Sequence, residues 1–267
     1  MNMKKLLKKW NVKCILCLFP SLMGTAIFFV IPYIRVLYYS LIDNQFRRNF
    51  VGLDNYIRTL RNEYFLLALK NSLLLIVICV PLLIVLALVI SLALSYGIKQ
   101  VGKTRFAFVL PMVIPTAGIV VIWRSIFGGN ETVLPVYLLF IWKNIGICIV
   151  LLTAAFTSIE KSIYEAARLD GANSFILHRK ITIPMIAPTL LFTALLSIVN
   201  SFRIFKESYL YYGTNYPPDH SYTLQYYMNN NFLKLDYQSL ASSAVLTSVL
   251  VLVIVLIGLG LQRRYSR

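Results

Sequence analysis

Acidic and aromatic-nitrogen side chains are in short supply. The 267 residues include only ten Asp and Glu, two histidines and four cysteines, and charged residues of all kinds make up 13%. With His178 and His220 as the only imidazoles, no Ser/His/Asp, paired-carboxylate or metal-ligand constellation can be assembled, so no catalytic residue and no metal site is expected. Cys14 and Cys17 form a C-x-x-C pair at the start of an apolar run, with no second pair and no nearby histidine, while Cys79 and Cys148 lie inside other apolar runs. They read as small hydrophobes and imply neither a zinc site nor a disulfide framework. No stretch alternates apolar and polar residues in the way a transmembrane β-barrel requires. So little charge also excludes an ordinary soluble domain.

What the chain has in abundance is apolar length. It is 58% hydrophobic, with a mean hydropathy of +0.73. Six runs stand out: Cys14–Ile34, Ser72–Leu94, Phe106–Trp123, Val133–Phe156, Met185–Phe202 and Ala241–Leu261. Each approaches the roughly 20 residues that carry a helix across the hydrocarbon layer. Lipid leaves no unsatisfied backbone, so the expectation is an all-α membrane protein with six transmembrane helices. Prolines 20, 32, 81, 111, 115, 135 and 188 fall in or beside these runs and predict kinks.

The net charge of +16 carries topology. One set of connections holds Lys4, Lys5, Lys8, Lys9 and Lys13, then Lys99, Lys103 and Arg105, then Lys161, Arg168, Arg179 and Lys180, then the Arg263, Arg264 and Arg267 tail. The opposite set holds Asp43, Asp54, Glu63, Glu131, Glu207, Asp219 and Asp236. Positive loops stay inside, so both termini are expected in the cytoplasm of a multi-pass protein of the cell (inner) membrane. The basic residues form no single groove-sized patch, so no nucleic-acid partner is expected. The organisation expected is a cytoplasmic N-terminus and first helix over 1–37, an extracytoplasmic segment over 38–65, and a transmembrane core over 66–267 with cytoplasmic helices at 157–184. Met1–Trp10 and the following run also resemble a signal peptide with Gly24-Thr25-Ala26 as a cleavage site, but the run continues to Ile34, longer than a signal core, which favours an uncleaved span.

Residues 97–104 match the phosphate-loop pattern G-x-x-x-x-G-K-[ST]. A working phosphate loop follows a β-strand and opens a free helix N-terminus. Here an apolar span precedes it and another follows, so a glycine-containing basic turn between two spans is the better reading.

Residues 157–184 carry more. Ser162 and Glu165 have capping-box spacing and predict a helix start there. Gly171 offers a left-handed stop, Asn173 or Ser174 can cap a second helix running to Lys180, and Pro184 marks the start of the fifth span. The first helix is small on one side (Ala166, Ala167) and apolar on another (Ile163, Tyr164, Leu169), and Glu165, Arg168 and Asp170 can set register by charge. Physics alone leaves docking on a partner and resting on the membrane equally open. Glu165-Ala166-Ala167, three residues, Gly171, nine residues, then Ile181-x-Ile183-Pro184 closely resembles the EAA signature of binding-protein-dependent ABC importer permeases, with Ile183 where Leu is usual. The 50–56 segment, 68–72, 141–143, 164–172 and 201–205 resemble the carbohydrate branch, of the maltose and glycerol-phosphate type. Arg203, Lys206 and the 213–217 turn depart from it.

That resemblance implies a type I ABC importer permease. Glu165 would meet the ATPase, Ala166 and Ala167 would pack closely on it, Asp170 would help set register, and Gly171 would permit the turn. It further implies a cytoplasmic ABC ATPase dimer, a second homologous permease subunit and an extracytoplasmic solute-binding protein as partners. ATP and Mg would reside on the ATPases, with no cofactor on this chain. Its cargo would be a sugar or oligosaccharide, or, given Lys143, Arg203 and Lys206, an anionic polyol phosphate or acidic oligosaccharide. By the same resemblance the fourth and fifth spans meet at the solute path. Lys143 and Asn144 interrupt the fourth span, and Ser197, Asn200 and Ser201 share one face of the fifth, with Trp142 or Phe202 available to stack on a sugar. Helix pinning by Ser and Asn, and snorkelling of Lys143 at the membrane edge, are the alternatives. The tyrosines between 209 and 227 suit either contact with a solute-binding protein or an interfacial belt. A secondary transporter would need acids within its spans, and all ten lie outside them.

Overall fold

The structure is a computed structural model that describes the backbone of residues 17–97, 101–129 and 131–265, with side chains for 17–95, 107–129 and 131–261. Residues 1–16, with the N-terminal lysines and Cys14, and all side chains of the phosphate-loop-like turn lie outside the described residues. Every long element among the described residues is a helix. In chain order they are α1 (Cys17–Ser40), α2 (Asp54–Leu60), α3 (Glu63–Gly97), α4 (Val101–Val113), α5 (Thr116–Phe127), α6 (Leu134–Thr157) and α7 (Lys161–Leu169). Then come α8 (Ser174–Ser201), α9 (Phe205–Tyr212), α10 (Leu224–Leu233) and α11 (Tyr237–Tyr265). The chain divides into two compact units, Met1–Asn62 with Asn231–Thr247, and Glu63–Asn230 with Ser248–Arg267.

Five of these helices are long and apolar enough to cross a membrane: α1, α3, α6, α8 and α11 up to Leu261. The run expected as the third span differs. Ala107–Val113 and Thr116–Phe127 meet at a bend of 106°. Pro115 is the cause: it adopts an extended conformation (φ −55°, ψ 128°) and supplies no N–H, and a proline disfavours helix at the residue before it. Counted as one broken span, the pair brings the crossings to six. Pro81, Pro111 and Pro188 stay inside their helices.

In the first unit the segment after α1 folds back through side chains that cap backbone. Asn55 donates to the carbonyls of Ser40 (3.0 Å) and Ile42 (2.8 Å). Tyr56 meets the buried Ser40 hydroxyl at 2.6 Å, and Thr59 meets Ser242 at the start of α11 at 2.7 Å. Gly52 supplies the left-handed turn (φ 59°) that lets α2 begin.

The second unit has its core where α3, α4, α6 and α8 pack. Along α3, Leu75, Cys79, Leu83 and Ala87 are buried at four-residue spacing, one face of a helix. They join Leu139, Phe140, Cys148, Ile149, Leu152 and Phe156 of α6 and Ile186 of α8. Between lipid-facing helices there is no hydrophobic drive to associate, so small residues that allow close van der Waals approach matter most. Cys79 and Cys148 act in that way, as expected of small hydrophobes. Thr153, Thr193 and Ser197 return their hydroxyls to carbonyls four residues back, which satisfies these three donors within the apolar interior.

Much of the tyrosine-rich stretch is folded in on itself. Tyr211, Tyr222, Tyr226 and Tyr227 are buried. Tyr226 stacks on Tyr222 and meets Phe205 edge-on, and its hydroxyl donates to Ser208 at 3.2 Å. Burial pushes the Tyr222 hydroxyl up to about 12, so it remains a neutral hydrogen-bonding group at physiological pH. Asn71 of α3 donates to the Asp219 and Tyr222 carbonyls at 2.5 and 2.9 Å, and Leu224 N–H donates to Ser72. The stretch is thus a small folded cap, and of its tyrosines Tyr209 and Tyr216 stay exposed.

Gly146 marks the closest helix approach. A Cβ built there collides with the backbone of Phe108 on α4, whereas one at Gly258 meets only the Leu195 side chain. Gly146→Ala should therefore destabilise by about 1–3 kcal/mol, with Gly258→Ala milder because Leu195 can rotate away. Thermal unfolding of the detergent-purified chain reads both, and equal tolerance would show that α4 can move off α6.

Candidate functional site

Lys143 lies in α6, the tenth residue from Leu134, so roughly 14 Å along the helix axis. An ammonium at that depth needs partners. It donates to Thr116 Oγ1 at 2.9 Å and to Glu207 Oε1 at 2.5 Å, and each charged side chain is only 15% exposed. Three elements, α5, α6 and α9, are thereby tied at one point. Thr116 reaches it because Pro115 turns the chain there. The snorkelling alternative for Lys143 does not hold.

Beside this pair is a cavity of about 180 Å3, lined by Met112, Phe140, Lys143, Asn144, Asn200, Arg203, Ile204 and Glu207. Asn144 donates to the Phe140 carbonyl at 2.8 Å and accepts from Asn200 Nδ2 at 3.2 Å. The two amides still have N–H and carbonyl valences free for hydroxyls in the cavity. Of the residues singled out for a solute path, Lys143, Asn144 and Asn200 come together here. Ser197 and Ser201 do not line the cavity: they are buried, their hydroxyls return to the Thr193 and Ile198 carbonyls, and Ser197 contacts Cys148. Trp142 is stacked on Trp123 at 5.4 Å, and Phe140 is the aromatic in the wall. Glu207, grouped in the sequence with the outer-loop acids, was missed as a site residue. The signal for it was the ammonium itself, which required a counter-ion.

The 157–184 segment forms a helical hairpin. α7 begins at Lys161, after an extended Glu160. The capping box does not form: Ser162 sits inside the first turn and its hydroxyl reaches the Glu160 carboxylate at 3.3 Å. At the other end, Gly171 (φ 81°) ends the helix in a Schellman motif, with Ala172 N–H donating to the Ala167 carbonyl and Gly171 N–H to that of Arg168. Asn173 then caps α8 through Ile176 N–H at 2.9 Å. The second helix does not stop at Lys180. It continues through a π turn, His178–Thr182, into the fifth span, with Pro184 just after that turn.

The apolar face of α7 divides. Ile163 and Tyr164 pack against the core, and Tyr164 OH meets the buried Thr182 hydroxyl at 3.3 Å. Leu169 turns outward, 90% exposed, and Phe175 follows it at 69%. Glu165, Ala166, Asp170 and Gly171 are exposed beside them, with Ala167 half-buried. One face of the hairpin is locked to α8 and the other presents apolar, small and charged groups. Among the described residues no cluster of His, Cys, Asp or Glu could hold a metal ion.

A multi-pass helical bundle that pairs a half-open cavity, lined by polar and apolar groups, with an anchored, outward-facing hairpin suits a transporter's membrane subunit. Residues 69–267 match the family model for the binding-protein-dependent transport system inner membrane component. The chain is 30% identical to the arabinooligosaccharides transport system permease protein AraP of Bacillus subtilis, covering 90% of this chain and 84% of the relative. It is 28% identical to the osmoprotective compounds uptake permease protein GgtC of Synechocystis sp., covering 73% and 80%. Among solved structures it superposes on a chain of a bacterial ABC transporter that imports the acidic polysaccharide alginate, with TM-score 0.76, 22% identity and 99% of both chains covered.

The chain belongs to the binding-protein-dependent transport system inner membrane component family. It is the non-catalytic permease subunit of an ABC importer, a multi-pass membrane protein that works with an ATPase and a solute-binding protein.

Replacing Glu207 with Ala strands the Lys143 ammonium. We expect a loss of roughly 3–5 kcal/mol, largely recovered in the double variant Lys143→Met/Glu207→Leu. Thermal unfolding of the three proteins in detergent measures it, and a harmless Glu207→Ala would mean the ammonium finds water instead.

Proposed function

We propose that this chain translocates a sugar or oligosaccharide across the cytoplasmic (inner) membrane, as one of two homologous permease subunits that share an ABC ATPase dimer. An extracytoplasmic solute-binding protein delivers the cargo to the outer side of the bundle. The observation that carries the reading is the pair of sites on one helix: α8 bears Asn200 of the cavity wall at one end and the hairpin at the other. A push on the hairpin is therefore transmitted along a single continuous rod to the cavity. AraP, whose name specifies arabinooligosaccharides, supports the carbohydrate assignment.

In this mechanism ATP and Mg are held by the partner ATPases. Closure of that dimer moves a helix seated in its surface, in which Leu169 and Phe175 contribute apolar contact, Ala166 and Ala167 allow close approach, and Glu165 and Asp170 set register. The Schellman turn at Gly171 and the Tyr164–Thr182 contact keep α7 from yielding, so the motion reaches α8 and the cavity alternates sides. Amide and hydroxyl exchange with Asn144 and Asn200 holds the solute without any bond being made or broken.

Gly171→Val forces a β-branched residue into left-handed backbone, at a cost of about 1–2 kcal/mol, and misdirects the hairpin; Glu165→Lys inverts a docking charge. Both should abolish uptake in intact cells while membrane insertion and the amount of protein stay unchanged. A mild-detergent pull-down should recover an ATPase and a second permease with wild type and lose the ATPase with Gly171→Val. Normal uptake in both variants, or a chain that moves solute in vesicles without ATP, overturns the coupling mechanism.

A further inference from the structure

The cavity's charges do not cancel. Lys143 is taken up by Glu207 and Thr116, which leaves the carboxylate and the ammonium neutral as a pair. Arg203 lines the same cavity, and among the described residues the Lys143–Glu207 contact is the only ion pair. The Arg203 backbone N–H donates to the Asn200 carbonyl at 3.0 Å, so the residue follows Asn200 by one turn, and its side chain shares the cavity wall with the Asn144 and Asn200 amides. The plainer account is that Arg203 complements the C-terminal dipole of α8. That explains a cation after Ser201 but not its position in the wall of a cavity whose other polar groups are two amides and a neutralised pair, beside Met112, Phe140 and Ile204.

We infer that Arg203 is a specificity-determining residue that binds an anionic group, a carboxylate or a phosphate, on the sugar or polyol that this cavity accepts. The inference rests on the permease reading above and deepens it. A guanidinium presents a planar fork of donors that suits the two oxygens of such a group, while the amides serve the hydroxyls of the same solute. Glu207 has a second part in the arrangement. By holding Lys143 it keeps the cavity at one net positive charge, so a singly charged solute is matched, whereas a neutral one leaves the exposed Arg203 to water.

The test uses the assembled importer, permease pair with its ATPases, purified in detergent, and equilibrium binding of matched probes: glucuronate against glucose, and glycerol 3-phosphate against glycerol. The acid member of each pair should bind about 10-fold more tightly in wild type, as a charge-assisted bidentate contact allows. That difference should disappear in Arg203→Gln, return in part in Arg203→Lys, and widen in Glu207→Gln, which frees the Lys143 ammonium. Equal binding of the matched members, or a preference for acids that survives Arg203→Gln, overturns the inference and leaves the sugar-permease reading standing. Binding of no probe, neutral or acidic, overturns both.

Discussion

An ammonium held inside an apolar helix is the constraint around which the working part of this molecule is arranged. Lipid cannot solvate Lys143, so other elements must come to it. Thr116 arrives because Pro115 breaks the third apolar run, and Glu207 arrives because α9 folds back under the tyrosine cap. The cavity is the space that remains when those three elements meet beside α8. Its polarity is a consequence of the same contact, since the groups that neutralise one charge leave Arg203 and the two amides facing the void.

The second constraint is mechanical. The proposed coupling role requires that the hairpin not hinge at its own root. α7 is pinned by Tyr164 on Thr182, closed by the Gly171 Schellman turn, and fused through Asn173 and a π turn to a span that runs without interruption to Ser201. Each device acts over a few residues, and together they make a short surface helix and a transmembrane span one body. The outward Leu169 and Phe175 are stable there in isolation only as exposed apolar groups, which is the usual mark of a surface awaiting a partner.

Much of this was legible in the sequence because its signals are local or periodic. Apolar runs of bilayer length announce helices, and lysine placement announces sides. Gly171 and Asn173 act within four residues of themselves, so their roles as stop and cap could be read directly. The readings that needed revision involved distance or competition. Ser162 and Glu165 had the spacing of a capping box, but the chain turns helical one residue earlier, at Lys161. Pro115 was counted among kinks, yet it breaks the span by 106°. Pro184 was read as a boundary, whereas the helix passes through it by way of the π turn His178–Thr182. The tyrosines were assigned to surfaces by composition, whereas their rings pack on one another once Asn71 and Ser72 hold the cap in place.

By itself the sequence determined the membrane environment, the helical class and the turn between the two cytoplasmic helices, because in lipid each helix must satisfy its own backbone and each turn must be written into its own residues. Only the tertiary structure decided which polar groups share a cavity. Lys143 and Glu207 lie 64 residues apart, and Asn144 and Asn200 lie 56 apart. Nothing in either stretch encodes the other. Ser197 and Asn200, on neighbouring turns of one helix, part company because packing sends the first inward to Cys148 and the second to the void, where it meets Asn144.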